Sequence, residues 1–153
     1  MSLGEPGLKS LPRPGVYSAD ELNIIELLSS LSQIYESGKA GAVAIFLGVA
    51  KAESRLGKEV KYLEIESYVE NANLVIGEIC REVMEKHNVA YVGIWHLQGR
   101  FRPGEPVVLV AVAGKHRALV FNALREAVER YKKEPALFKK EAYSDGSHAW
   151  ITE

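Results

Sequence analysis

The chain has 153 residues, a formal net charge of −1 and 47% hydrophobic residues, which indicates a globular protein built on one main domain. A charge this close to zero excludes a global field that would attract nucleic acid, and no run of 18 apolar residues predicts a membrane-spanning helix. The single cysteine, Cys80, excludes an internal disulfide. Together with the lack of a signal-peptide pattern, it predicts a cytoplasmic protein.

The N-terminal stretch is rich in proline and glycine, so residues 1–15 are predicted to be a flexible tail and residues 16–153 a single domain. Ser18 and Glu21 have the spacing of a capping box, which predicts a helix from Ser18 to about Ser37. Its apolar stripe would be formed by Leu22, Ile25, Leu28, Leu31 and Tyr35.

The middle of the chain alternates strands with one helix. Residues 41–51 are predicted to form a buried strand in which Gly48 marks a bulge or a close backbone approach. After a polar loop, four further elements are expected: a half-exposed antiparallel strand over 59–68, a helix over 70–87, and strands over 89–97 and 107–112 joined by a turn-rich connection.

The last helix is flanked by cations at both ends. It is predicted to begin at His116-Arg117 and to end before Pro135, because the residue before a proline is pushed out of the helical region. Lys132 and Lys133 lie at its end, and Lys139 and Lys140 follow. Its apolar face is predicted to contain Val120, Phe121, Leu124, Ala127, Val128 and Tyr131.

Two short strands, 139–143 and 148–152, are predicted to form a hairpin around the turn sequence SDGS. The order is then helix, two strands, helix, two strands, helix and hairpin. This order predicts an α+β fold and not a regular doubly wound sheet.

The side chains that could take part in catalysis are mainly lysines. Histidine spacing and the single cysteine give no metal-ligand pattern, and no phosphate-binding glycine loop or nucleophile elbow is present. Lys132 is expected to be partly buried, Lys139 follows an apolar pair, and Glu141 could orient one of them. These residues predict a cationic pocket for an anionic substrate, with a lysine transferring a proton.

Four segments in order, GAVAIFLGVAK, LEIESY, HRALVFNAL and KKEPALFKKE, resemble the large, catalytic subunit of molybdopterin synthase. The resemblance covers residues 41–151. It implies an α/β hammerhead fold with an additional small antiparallel β-sheet, a homodimer within a heterotetramer, and no resident cofactor.

The resemblance also implies a reaction. This family converts cyclic pyranopterin monophosphate (precursor Z) to molybdopterin by installing two sulfurs as a dithiolene, in molybdenum cofactor biosynthesis. The sulfur arrives as a C-terminal thiocarboxylate on a small ubiquitin-like partner, whose Gly-Gly tail enters a pocket of the large subunit. Both ligands are anions, which accounts for a lysine-rich site.

Carried over by position, the resemblance gives two catalytic residues, Lys132 and Lys139. The implied substrate-binding residues are Lys51, His116, Arg117, Phe46 and Glu141, of which His116 and Arg117 would hold the phosphate within one subunit or across the dimer interface.

The sequence departs from the family pattern at several positions. Lys51 stands where the family usually has arginine, which keeps the charge but loses the bidentate fork. Leu97 stands where an arginine often follows His96. Pro135 lies one residue early, and Phe138 stands where tryptophan is common.

A second hypothesis from the residues is a non-catalytic dimeric module that binds an anionic ligand or an acidic partner tail. It would lose affinity in proportion to the charge removed, whereas an enzyme would lose its reaction when Lys132 is truncated. A third, nucleic-acid binding, is disfavoured by the net charge.

Overall fold

The computed structural model describes residues 10–152, which form seven β-strands and three α-helices in an α+β arrangement, as predicted. A short 3₁₀ helix, Leu31–Ile34, follows α1. The elements are β1 Gly15–Ser18, α1 Ile24–Ser29, β2 Ala42–Val49, β3 Val60–Ser67, α2 Val69–His87, β4 Tyr91–Phe101, β5 Pro106–Gly114, α3 Arg117–Tyr131, β6 Leu137–Tyr143 and β7 His148–Ile151.

The sheet has the strand order β2-β5-β4-β3-β6-β7, and β1 pairs in parallel with β4. The first half of β4 pairs with β5, and its second half, from Gly99 to Phe101, pairs with β3. Gly99 has a φ of +127° at this change of partner, a conformation that favours glycine. From there β3, β6 and β7 continue as a small antiparallel extension, in agreement with the fold that the resemblance implied.

The core lies where α2 and α3 pack against each other and against the sheet. Strand β5 is buried from Val107 to Gly114, as its continuous apolar run predicted. Cys80 lies in the same core on α2, where burial raises the pKa of its thiol to about 12. Among the described helices, none is both long and apolar enough to span a membrane.

The helix predicted from Ser18 to Ser37 is wrong. Ser18 is the last residue of β1, and its backbone N–H donates to Glu21 Oε1 at 2.8 Å within a turn. The helix begins after Asn23, whose side chain accepts from the backbone of Ile25 and Glu26. It ends at Ser29, whose hydroxyl bonds back to a carbonyl oxygen one turn earlier, an interaction that weakens helices.

The predicted tail is partly folded onto the domain. Trp95 Nε1 donates to the carbonyl oxygen of Pro12 at 2.9 Å, and Leu11 packs against the core. Trp95 itself is fully buried. Residues 1–9 of that tail lie outside the described residues.

Three burial and boundary predictions also need correction. Strand β2 is half-exposed and not buried, because only one of its faces packs against the core. Ala44 and Phe46 lie on that face, whereas Ile45 and Val49 on the other face are each 44% exposed. Strand β4 continues through part of the connection predicted over 98–106. On α3, Phe121 is 61% exposed, and Ala123 faces the core instead.

Candidate active site

A cleft of about 740 Å³ lies between the end of β2, the hairpin that joins β2 to β3, and the strands β6 and β7. Five of the seven predicted site residues line it. They are Phe46, Lys51, Lys132, Lys139 and Glu141. The fold therefore brings together residues that are up to 95 positions apart in the chain, from 46 to 141.

The end of α3 and the pleat of β6 position the two lysines. Helix α3 ends at Tyr131, with Lys132 as its C-cap, three residues before Pro135 as predicted. Lys139 and Glu141 are alternate residues of β6, so they lie on the same face of the strand and both line the cleft. Lys140 lies on the opposite face, where its Nζ is 3.4 Å from Glu64 Oε1.

Positive charge predominates around this cleft. Among the described residues, its lining contains five Lys or Arg side chains and one carboxylate, that of Glu141. Lys139 is half-buried, but Lys132 is exposed, so the partial burial predicted for Lys132 is wrong. The reason is its place at the helix C-cap, from which the side chain leaves the core; its Nζ lies 5.7 Å from the centroid of the Tyr131 ring.

Tyr131 forms the floor below the lysines. It is 2% exposed, and its ring lies 6.4 Å from that of Phe46 and 5.5 Å from that of His96, centroid to centroid. His96 is fully buried, and its Nδ1 lies 2.8 Å from the carbonyl oxygen of Leu97. Because a carbonyl oxygen only accepts, Nδ1 carries the proton of this contact.

The wall formed by β2 approaches β5 closely at Gly48, as predicted. A side-chain Cβ at this position would overlap Val108 Cγ1 and would lie 3.8 Å from the Tyr131 hydroxyl. The pairing of β2 with β5 also shifts register between Gly48 and Val49. Glycine is therefore required here by close packing and not by a positive φ.

Glu141 is the acidic residue of the cleft, and its carboxylate is largely removed from solvent. It is 8% exposed, and its Oε1 accepts a hydrogen bond of 2.9 Å from the hydroxyl of Tyr143. Burial, followed by this hydrogen bond, raises the pKa of the Tyr143 phenol, so the hydroxyl stays protonated at neutral pH.

A second cavity, of about 350 Å³, adjoins the first and shares Lys132 and Lys139 with it. The two cavities also share Tyr131 and Trp150, whereas Leu137 and Phe138 line the second cavity alone. Both lysines therefore stand where the two cavities meet.

His116 and Arg117 are the predicted site residues that do not line the cleft. Both are exposed at the N-terminal end of α3, and His116 is the N-cap residue. Lys132 follows the other end of this 15-residue helix, so the two ends are about 22 Å apart at 1.5 Å per residue. One chain therefore does not bring His116 and Arg117, the predicted phosphate-binding pair, to Lys132.

Several residues that line the cleft were not predicted as site residues. Arg55 and Lys58 come from the loop that was predicted only to be polar, and Tyr131 was predicted only as part of the apolar face of the last helix. Trp150 was not among the predicted site residues. Trp150 is 56% exposed and lines both cavities. The clustering of positive charge in the sequence could have indicated Arg55 and Lys58, since three of the five cations of the cleft lie within residues 51–58.

Side chains that commonly bind metal ions do not cluster in the described part of the chain. Within residues 10–152, no three His, Cys, Asp or Glu side chains lie close enough together to hold a metal ion.

The fold and the lining residues define an α+β protein with a lysine-rich cleft. The family model described as "MoaE protein" matches residues 19–134, three quarters of the chain. The chain belongs to the MoaE family.

Named relatives and solved structures agree with this family assignment. The chain is 32% identical over 136 residues to the molybdopterin synthase catalytic subunit of Pyrococcus abyssi, covering 89% of this chain and 88% of that protein. The crystal structure of molybdopterin synthase from Staphylococcus aureus is 26% identical, with a TM-score of 0.77, and covers 94% of this chain and all of that one. A complex of subunits 1 and 2 of molybdopterin-converting factor from Helicobacter pylori shares the fold, with a TM-score of 0.70 at 17% identity and 86% coverage of each chain. The recognition made from the sequence motifs, and the assignment to an enzyme of molybdenum cofactor biosynthesis, are confirmed.

Proposed function

We propose that this chain transfers sulfur from the C-terminal thiocarboxylate of a small ubiquitin-like subunit to cyclic pyranopterin monophosphate, which yields molybdopterin. The observation that carries the proposal is the charge of the cleft, in which five cations surround one carboxylate. A thiocarboxylate and a cyclic phosphate repel each other, and a dense set of cations in a partly enclosed cleft offsets that repulsion.

Lys132 and Lys139 are the catalytic groups of this proposal. They stand where the two cavities meet, so a tail in one cavity and a pterin in the other would both touch them. Their ammonium groups stabilise negative charge on the transferring sulfur and exchange a proton with the reacting atoms. Glu141 orients a lysine, Phe46 forms the apolar wall, and Lys51 binds the substrate phosphate as a point charge.

A second copy of the chain supplies His116 and Arg117 in this proposal. The pair is exposed and lies about 22 Å from Lys132 of its own chain. In a homodimer, the N-terminal end of α3 from one protomer would reach the cleft of the other. Two small subunits would then complete a heterotetramer, and the Helicobacter pylori complex of subunits 1 and 2 supports such a pairing of unlike subunits.

We place this reaction in the cytoplasm. A thiocarboxylate donor and a dithiolene product are both readily oxidised, so their chemistry needs a reducing compartment.

The test is conversion of cyclic pyranopterin monophosphate with a thiocarboxylated small subunit, run with Lys132→Ala beside the wild type. Lys61→Ala is the matched control, because Lys61 is an exposed lysine of β3 outside both cavities. We expect conversion by the wild type and the control, and a loss of roughly 100-fold or more with Lys132→Ala while the small subunit still binds. No conversion by the wild type, with the small subunit bound, would contradict the proposal and favour a binding module.

A further inference from the structure

A tyrosine that no part of the proposed function uses lies beside Glu141. Tyr143 and Glu141 are alternate residues of β6, each 8% exposed, and both line the cleft. The Tyr143 hydroxyl donates to Glu141 Oε1 at 2.9 Å. A hydrogen bond to a carboxylate is shorter and stronger than a neutral one, so this contact restricts where the carboxylate points.

The Tyr143 ring is itself held in place from the hairpin between β2 and β3. Lys58 Nζ lies 5.1 Å from the ring centroid, within the range of a cation–π contact. The same ammonium group lies 3.2 Å from Asp145 Oδ2 and 3.0 Å from the Ser147 hydroxyl. The backbone N–H of Ser144 also donates to the carbonyl oxygen of Glu59, which fixes the hairpin to the β6–β7 turn.

Tyr143 and Glu141 lie close along the strand to a proposed catalytic residue, Lys139. Lys139, Glu141 and Tyr143 follow one another at every second residue of β6, so all three side chains leave the same face of the strand. Successive side chains on that face are about 7 Å apart, a separation that the long lysine side chain can span. The carboxylate held by Tyr143 is therefore next in line to Lys139.

We propose that Tyr143 is a positioning residue for sulfur transfer, whose hydroxyl fixes the Glu141 carboxylate so that it orients the Lys139 ammonium. This inference rests on the proposed function of the cleft. Tyr143 does not touch the substrate in this account, and it acts through Glu141.

The first experiment compares Tyr143→Phe with the wild type in single-turnover and steady-state kinetics. Phenylalanine keeps the ring and removes the donor, so we expect kcat to fall about tenfold with little change in KM, in line with the loss of one hydrogen bond to a charged group. The control is Tyr17→Phe, which also removes a tyrosine hydroxyl that donates a hydrogen bond, here to the carbonyl oxygen of Arg13. It lies outside both cavities and should leave the kinetics unchanged.

A double-mutant cycle separates positioning from a general structural effect. If Tyr143 acts through Glu141, Tyr143→Phe has no further effect on kcat in the Glu141→Gln background. Fully additive losses, or a fall in thermal stability that accounts for the loss in kcat, would overturn the inference.

A crystal structure of Tyr143→Phe keeps this test independent of the reaction. We expect the Glu141 carboxylate to leave the position it has beside the Tyr143 hydroxyl, and an unmoved carboxylate would refute the positioning role. If the wild type forms no product, the proposed function fails, and the crystal structure still decides whether Tyr143 orients Glu141.

Discussion

Substitution of Gly48 by alanine tests the close approach of β2 to β5 beneath the cleft. Gly48 pairs with Val108, which is 1% exposed, and an alanine Cβ would overlap the Val108 side chain. A valine in a buried strand has little room to move, so the backbone of β2 must shift. Overpacking of this kind costs about 1–3 kcal/mol, and each kcal/mol lowers Tm by about 2–4 °C in a chain of this size.

The matched control is Gly77→Ala. Gly77 lies in the middle of α2 and is exposed, and an added Cβ would meet nothing within 4 Å. Alanine should therefore stabilise the helix by roughly 0.5–1 kcal/mol. Urea unfolding monitored by circular dichroism gives both values. An unfolding midpoint for Gly48→Ala equal to that of the wild type would refute the close approach of β2 to Val108.

Three further predictions follow from the site and from the α2–α3 contact. Lys51→Arg restores a bidentate fork and should lower KM for the cyclic phosphate by about fivefold at constant kcat; an unchanged KM in steady-state kinetics would count against a phosphate contact. Hydrogen bonds, led by that from Lys86 at 2.9 Å, lower the pKa of Glu126 in the folded protein. The Glu126 carboxylate therefore stabilises the fold above the unfolded pKa near 4.5, and this stabilisation is lost as the pH falls through the folded pKa. Glu126→Gln should thus be less stable than the wild type at pH 7, by up to about 1 kcal/mol, and this difference should shrink at pH 4 in urea unfolding; a difference independent of pH would contradict it. Mixed dimers of Arg117→Ala and Lys132→Ala protomers should retain about half the wild-type activity, because one cleft of each dimer keeps both residues; inactive mixed dimers would place Arg117 and Lys132 in the same protomer's site.

The sequence predicted whether a segment is a helix or a strand better than it predicted how deeply that segment is buried. The period of residues 70–87 and the apolar run at 107–112 identified α2 and β5, because their burial follows from local pattern. Strand β2 was identified as well, but the exposure of one of its faces depends on which elements pack against the strand, and no local pattern contains that information. Ser18 and Glu21 show the same limit, since a serine and a glutamate three residues apart can close a turn as readily as a helix.

The candidate site was predictable where charge and motif coincided. Lys132, Lys139 and Glu141 lie within ten positions of one another, and the resemblance added Phe46 and Lys51 on the opposite wall. The contact of Lys58 with Ser147 joins residues 89 positions apart. Spacing along the chain could not show it, and so the surroundings of Tyr143 were missed.

In the proposed reaction, sulfur passes from the small subunit to the pterin, and the lysines of the cleft catalyse this transfer. The most direct measurement is a single turnover in which the thiocarboxylate consumed on the small subunit, read by mass spectrometry, is compared with the dithiolene formed. We expect two thiocarboxylates to be consumed for each molybdopterin in the wild type, and neither consumption nor product with Lys132→Ala although the small subunit binds. Equal dithiolene formation by Lys132→Ala and the wild type would contradict the role of the lysines.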